Sequence, residues 1–130
     1  MTQEKTDLNS LVVSQETIGT EAVANALHGL VSIVKETGEV MPTGTFGELD
    51  ANRKILAYLL GLRASVTLGL GKRVVASAEE IATVMGVDGQ RAREYLSRLK
   101  GKYLQKGTDG WQLPVARILA ACEEITKKRK

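Results

Sequence analysis

Apolar residues recur at helical spacing over five stretches of this chain, and two short stretches of β-type pattern interrupt them. In residues 20–37, Val23, Leu27, Leu30 and Val34 follow at intervals of four, three and four, with Ala22, Ala26 and Val31 beside them. That spacing predicts an amphipathic helix with one apolar stripe, and Gly38 is placed to end it. Asp50 is positioned to cap a second helix over residues 51–68, whose buried side carries Ile55, Leu56, Leu59, Leu60, Leu62 and Val66. Gly69 and Gly71 break that helix, and Val74 and Val75 form a β-favouring patch after it. At the other end, Pro114 suits the first turn of a new helix striped by Val115, Ile118, Leu119, Cys122 and Ile125.

Between these lies the segment from Ser77 to Leu99, SAEEIATVMGVDGQRAREYLSRL, which reads as two short helices joined by a tight turn. Ser77 and Glu80 have capping-box spacing ahead of Ile81. Gly86 ends the first helix by taking positive φ at little steric cost, and Asp88 caps the second. Ile81, Met85, Val87, Ala92, Tyr95, Leu96 and Leu99 fall where two crossing helices face a shared core. Gln90, Arg91, Arg93, Glu94 and Arg98 are left on the polar side, with Lys100 and Lys102 beyond. Tyr103 to Leu113, YLQKGTDGWQL, then alternates about a Thr108-Asp109-Gly110 turn, as a short β-hairpin does, with Trp111 as its inward member.

The small Ala82, the glycine four residues later, the basic second helix and the hairpin together resemble a winged helix-turn-helix domain. The resemblance spans residues 50–113 and implies a mainly α, α+β fold with a short hairpin wing, flanked by additional N- and C-terminal helices. It divides the chain into a flexible arm (1–19), an accessory helix and Gly/Pro/Thr linker (20–47), the winged domain (48–113) and a C-terminal helix with a basic tail (114–130). Within the arm, Leu8, Leu11, Val12 and Val13 offer a short segment able to pack on something.

Composition narrows the classes. With 130 residues, 43% of them hydrophobic, the chain has room for one core and an accessory element. It lacks an apolar run of the ~20 residues that a membrane span needs, and the opening MTQEKTDLNS lacks a secretory layout. The single cysteine excludes an internal disulfide framework, so a cytoplasmic protein is expected. The net charge of +3 conceals a division: residues 1–50 hold two lysines against eight acidic residues, and residues 51–130 hold sixteen basic residues against seven acidic. The basic part seeks phosphate or an acidic partner.

No catalytic constellation emerges. His28 is the sole histidine, Cys122 sits on an apolar stripe as a small core residue, and no zinc-ligand set exists. Gly69-Leu70-Gly71-Lys72 is followed by Arg73 where a phosphate loop needs a hydroxyl residue, so it reads as a turn. Neither enzyme activity nor a cofactor or metal is expected.

The function expected is duplex DNA binding by a transcriptional regulator. Gln90, Arg91, Arg93 and Glu94 are candidates for groove contacts, and Arg98, Lys100, Lys102 and Lys106 extend the basic surface toward phosphate. An assembly module whose basic face meets an acidic protein, and a plasmid or viral replication or partition factor, are the alternatives. The stripe of Val23, Leu27, Leu30 and Val34 implies a homodimer, with the C-terminal helix as a second contact.

Overall fold

The computed structural model describes residues 15–127. The packing segment at residues 8–13 and the tail at residues 128–130 lie outside the described residues. Among the described residues the chain is mixed α+β, with five α-helices and two small antiparallel sheets. No helix among them is long and apolar enough to cross a membrane.

In chain order the elements are α1 (Gln15–Leu27), β1 (Val31–Ile33), β2 (Val40–Pro42), a 3-10 turn (Gly44–Glu48) and α2 (Ala51–Thr67). Then follow β3 (Val75–Ala76), α3 (Ala78–Met85), α4 (Gly89–Leu99), β4 (Gln105–Gly107) and β5 (Gly110–Gln112). A second 3-10 turn (Val115–Arg117) leads into α5 (Ile118–Thr126).

Helix α2 is the centre. Its N-cap is Asp50, whose side chain accepts from the Arg53 amide at 2.9 Å. Every residue from Ile55 to Leu62 is buried, more than a one-sided stripe provides. A helix apolar all round needs cover on every side. Here α1, α3, α4, α5, the β1–β2 hairpin and β3 all pack against it. Only Val66, near its end, departs from the expected buried set and is exposed.

Three polar side chains of α2 fix how its neighbours seat. The Arg53 guanidinium, only 7% exposed, pairs with the carboxylates of Asp50 and Glu124 and donates to the Glu124 carbonyl at 2.8 Å, fastening α5. Arg63 donates to the Leu113 carbonyl at 2.9 Å and to the Gln112 side chain at 3.1 Å, holding the end of β5. The buried Ser65 hydroxyl donates to the Gly38 carbonyl at 2.7 Å, holding the turn of the β1–β2 hairpin.

The second sheet has the order β3-β5-β4. Val75 faces Gln112 and Ala76 faces Trp111 across β3 and β5, while Gln105 faces Gln112 and Gly107 faces Gly110 across β4 and β5. The expected hairpin and the strand after α2 therefore join in one sheet. Trp111 is buried beneath it as its inward member.

The N-terminal third departs from the sequence reading. The helix expected over residues 20–37 begins earlier, at Gln15, and stops at Leu27. Gly29 turns the chain at φ 81°, and the β-branched Val31 and Ile33 continue as a strand paired with β2. Gly38 is the hairpin turn and ends no helix; its φ is 77°, and an added Cβ would lie 2.3 Å from the Leu70 carbonyl oxygen. Residues 38–47 are likewise no free linker, since Val40 and Phe46 are buried in the core. The four-residue stripe is thus split, with Leu27 on α1 and Leu30 in the turn, both buried within the chain, while Val23 and Val34 are half-buried. Intramolecular packing of α1 on α5 and α2 supplies the cover that a partner subunit was expected to give. At the C-terminus, Leu119 is exposed and Ala121 takes the buried place. Cys122 is buried as expected, and burial pushes its thiol up to about 11.

A chain beginning at Thr45 should therefore lose stability rather than merely change oligomeric state. Leu27 and Leu30 alone account for roughly 1.5–3 kcal/mol each of apolar burial, and the underlying core is uncovered with them. Circular-dichroism melts of the shortened and full-length chains test this; equal melting temperatures would contradict the packing described.

Candidate nucleic-acid interface

The helix pair α3–α4 is set by local chemistry at both starts. The Ser77 hydroxyl accepts from the Glu80 amide at 3.1 Å, and the Glu80 carboxylate accepts from the Ser77 amide at 3.0 Å. Burial alone would push the Glu80 carboxyl up, but the Ser77 amide and the Arg73 guanidinium outweigh it and hold it below its ordinary value. Arg73 bridges Glu80 at 2.7 Å and also donates to the Val75 carbonyl at 2.8 Å, so the capping box is tied to the strand before it. Gly86 closes α3 at φ 78°, and Asp88 caps α4 by accepting from the Arg91 amide at 2.8 Å.

Helical spacing then divides α4 into faces. Ala92, Leu96 and Leu99 are buried, with Ile81, Ala82 and Met85 of α3 in the same core. Turning 100° per residue places Gln90 and Glu94 opposite that buried face, Arg91 and Arg98 together on one flank, and Arg93 on the other. All five of these polar residues are exposed.

The arginines are not equivalent. Arg93 reaches back across the turn to the Glu79 carboxylate at 3.1 Å, bracing α4 against α3. Arg98 lies over the Tyr95 ring at 5.4 Å, which lets it lean along the helix with its charge in solvent. The Arg91 guanidinium meets no carboxylate among the described residues. It is the side chain of α4 most available for a phosphate or a base edge.

Past the helix, Lys100 and Lys102 are exposed on the connection to β4. Lys102 stands 5.6 Å from the Tyr103 ring, and Lys106 on β4 stands 5.7 Å from the Trp111 ring. All three residues of β4 are exposed, so the hairpin presents an outer edge to solvent. The residues singled out from the sequence thus occupy one continuous run of chain, α4 followed by its connection and the hairpin, with every charged side chain exposed.

Two participants escaped the sequence reading. Glu79, fourteen positions from Arg93, is its partner only because the turn at Gly86 folds α3 beside α4. Arg73, which the sequence places in a turn, organises the start of α3; the signal is a basic residue just ahead of a capping box. Among the described residues no group of His, Cys, Asp and Glu is placed to hold a metal ion.

Compared with known protein families, characterised proteins and solved structures, the chain matches none.

The turn at Gly86 carries a direct prediction. No atom lies within 4 Å of a Cβ added there, so substitution meets backbone strain and no steric clash. Gly86→Ala should cost about 1–2 kcal/mol from the left-handed conformation alone, and Gly86→Asn less. Urea unfolding of both variants tests the order; an alanine variant as stable as the parent would refute the conformation.

Proposed function

We propose that residues 48–113 form a winged helix-turn-helix domain and that the chain binds duplex DNA as a sequence-specific regulator of transcription. Helix α4 enters the major groove in this reading, and the β4–β5 hairpin is the wing that lies along the backbone. The observation that carries it is the order helix, strand, two capped helices and hairpin, in which β3 pairs with β5 and α4 is left with an outward basic flank.

The residues sort by what they can reach. Arg91 is the principal base-edge candidate, since its fork matches guanine O6 and N7 and no carboxylate among the described residues pairs with it. Gln90 and Glu94 flank it on the outermost face and suit adenine and cytosine edges respectively. Arg98, Lys100, Lys102 and Lys106 supply phosphate contacts. Arg93 is a positioning residue, because its bridge to Glu79 links α4 to α3 across the turn. The charge division favours the same assignment: residues 51–130 hold sixteen basic residues against seven acidic, whereas residues 1–50 hold two against eight.

Selection from a random duplex library, followed by titration of the enriched site, tests the proposal. Arg91→Ala should weaken the enriched site by about 1–3 kcal/mol and relax preference at one base position. Arg93→Ala should weaken it less, without changing the preferred sequence. If no sequence is enriched, or if neither variant alters binding at physiological salt, the major-groove reading fails. An acidic protein captured by the same face, without DNA affinity at low salt, would favour an assembly role instead.

The wing makes a separable prediction. With Lys106 its one charged cation, Lys106→Ala should weaken all duplexes about equally and reduce the slope of log K against log salt by about 0.9. Lost sequence preference at an unchanged slope would contradict a phosphate role.

A further inference from the structure

A second site lies away from α4. Between the turn of the β1–β2 hairpin, the middle of α2, the segment before β3 and the side of α3 is a cleft of about 430 Å³. Its size is within the range of small-molecule sites. Val40, Leu62 and the ring of Tyr58 give it apolar walls, and charged groups stand at its margin.

Two of those charges already satisfy each other: Arg73 and Glu80 form the bridge that closes the start of α3. The other two do not. Glu39 and Lys72 line the same cleft, yet neither has an ion-pair partner among the described residues, and they are too far apart to pair with one another. Both are exposed, so each keeps its charge in water until something displaces that water. The cleft therefore offers one unmatched anion, one unmatched cation and an apolar wall. The backbone holds this arrangement firmly, since Gly38 is pressed against the Leu70 carbonyl and Ser65 anchors the same turn to α2.

We propose that this cleft binds a small zwitterion with an apolar side chain, of the class of a free α-amino acid. The ligand's ammonium group faces Glu39, its carboxylate faces Lys72, and its side chain lies against Val40 and Leu62. A molecule bearing only one of these charges leaves the opposite protein charge unmatched and binds more weakly. The site is independent of what α4 binds, and its test uses no nucleic acid.

The experiment is a titration of the full chain followed by amide resonances, with leucine, valine, methionine and phenylalanine as probes at millimolar concentration. Leucinamide, which lacks the carboxylate, and 4-methylpentanoate, which lacks the amine, are the single-charge controls. At least one amino acid should shift the amides of residues 37–40 and 71–73, and the matching single-charge analogue should bind about tenfold more weakly. Lys72→Ala and Glu39→Gln, both surface changes that leave the core intact, should each weaken the amino acid by a similar factor. Absence of shifts with all four amino acids overturns the proposal. Equal binding of the single-charge analogues, or binding unaffected by both substitutions, overturns it as well.

Discussion

The rest of the structure depends on the burial of α2 over its whole circumference. Eight consecutive residues, Ile55 to Leu62, are out of water, and a single helix neighbour can cover only one side of such a segment. Since each buried Leu or Ile contributes roughly 1.5–3 kcal/mol, leaving any one side uncovered forfeits several kcal/mol. The chain meets this requirement with elements from both ends. The N-terminal helix and hairpin close one part of the surface, α3 and α4 another, and α5 a third. Gly61 shows how tight the fit is, because a Cβ there would lie 2.8 Å from a Val40 methyl group.

Apolar packing is poorly directional, so the polar anchors decide orientation. Arg53, Arg63 and Ser65 bind three different neighbours from three positions along α2. A buried guanidinium is costly to desolvate. Arg53 is tolerable because two carboxylates and a carbonyl surround it, and removing Glu124 would leave that charge short of a partner. With α2 so fixed, the helix pair is positioned by its own devices: the Arg73–Glu80 bridge at its start, the left-handed glycine at its turn and the Arg93–Glu79 bridge across it. The outward flank of α4 is the remainder once its apolar residues are committed to the core.

What was legible in the sequence was governed by local chemistry. The caps at Asp50, Ser77 and Asp88, the turn at Gly86 and the hairpin around residues 108–110 all rest on interactions within a few residues, and the structure contains each of them. Helix α2 was legible in extent but not in its all-round burial, which is a property of its neighbours. The N-terminal third misled because a Leu27, Leu30, Val34 spacing fits a continuous helix as well as a helix, turn and strand. The discriminating signals were Gly29 inside the apparent helix and the cluster of Val31, Ile33 and Val34, whose β-branched side chains favour a strand. Leu119 and Ala121 exchanged places because the inward face of α5 runs through Ile118, Cys122 and Ile125, and at 100° per residue Leu119 falls farther from the middle of that face than Ala121. On α4, Arg91 and Arg93 are indistinguishable from the sequence alone. Only the folded turn, which delivers Glu79 to one of them, separates their roles.

We propose that one run of chain, α4 through the β4–β5 hairpin, meets duplex DNA and that the β1–β2 hairpin does not. Amide resonance mapping of the full chain during addition of a duplex at low salt tests that claim most directly. The account predicts that the perturbed amides concentrate in residues 88–107, with those of residues 31–42 unmoved, and that the shifts reverse as salt is raised. Perturbations centred on the N-terminal hairpin, or none anywhere at low salt, would contradict it.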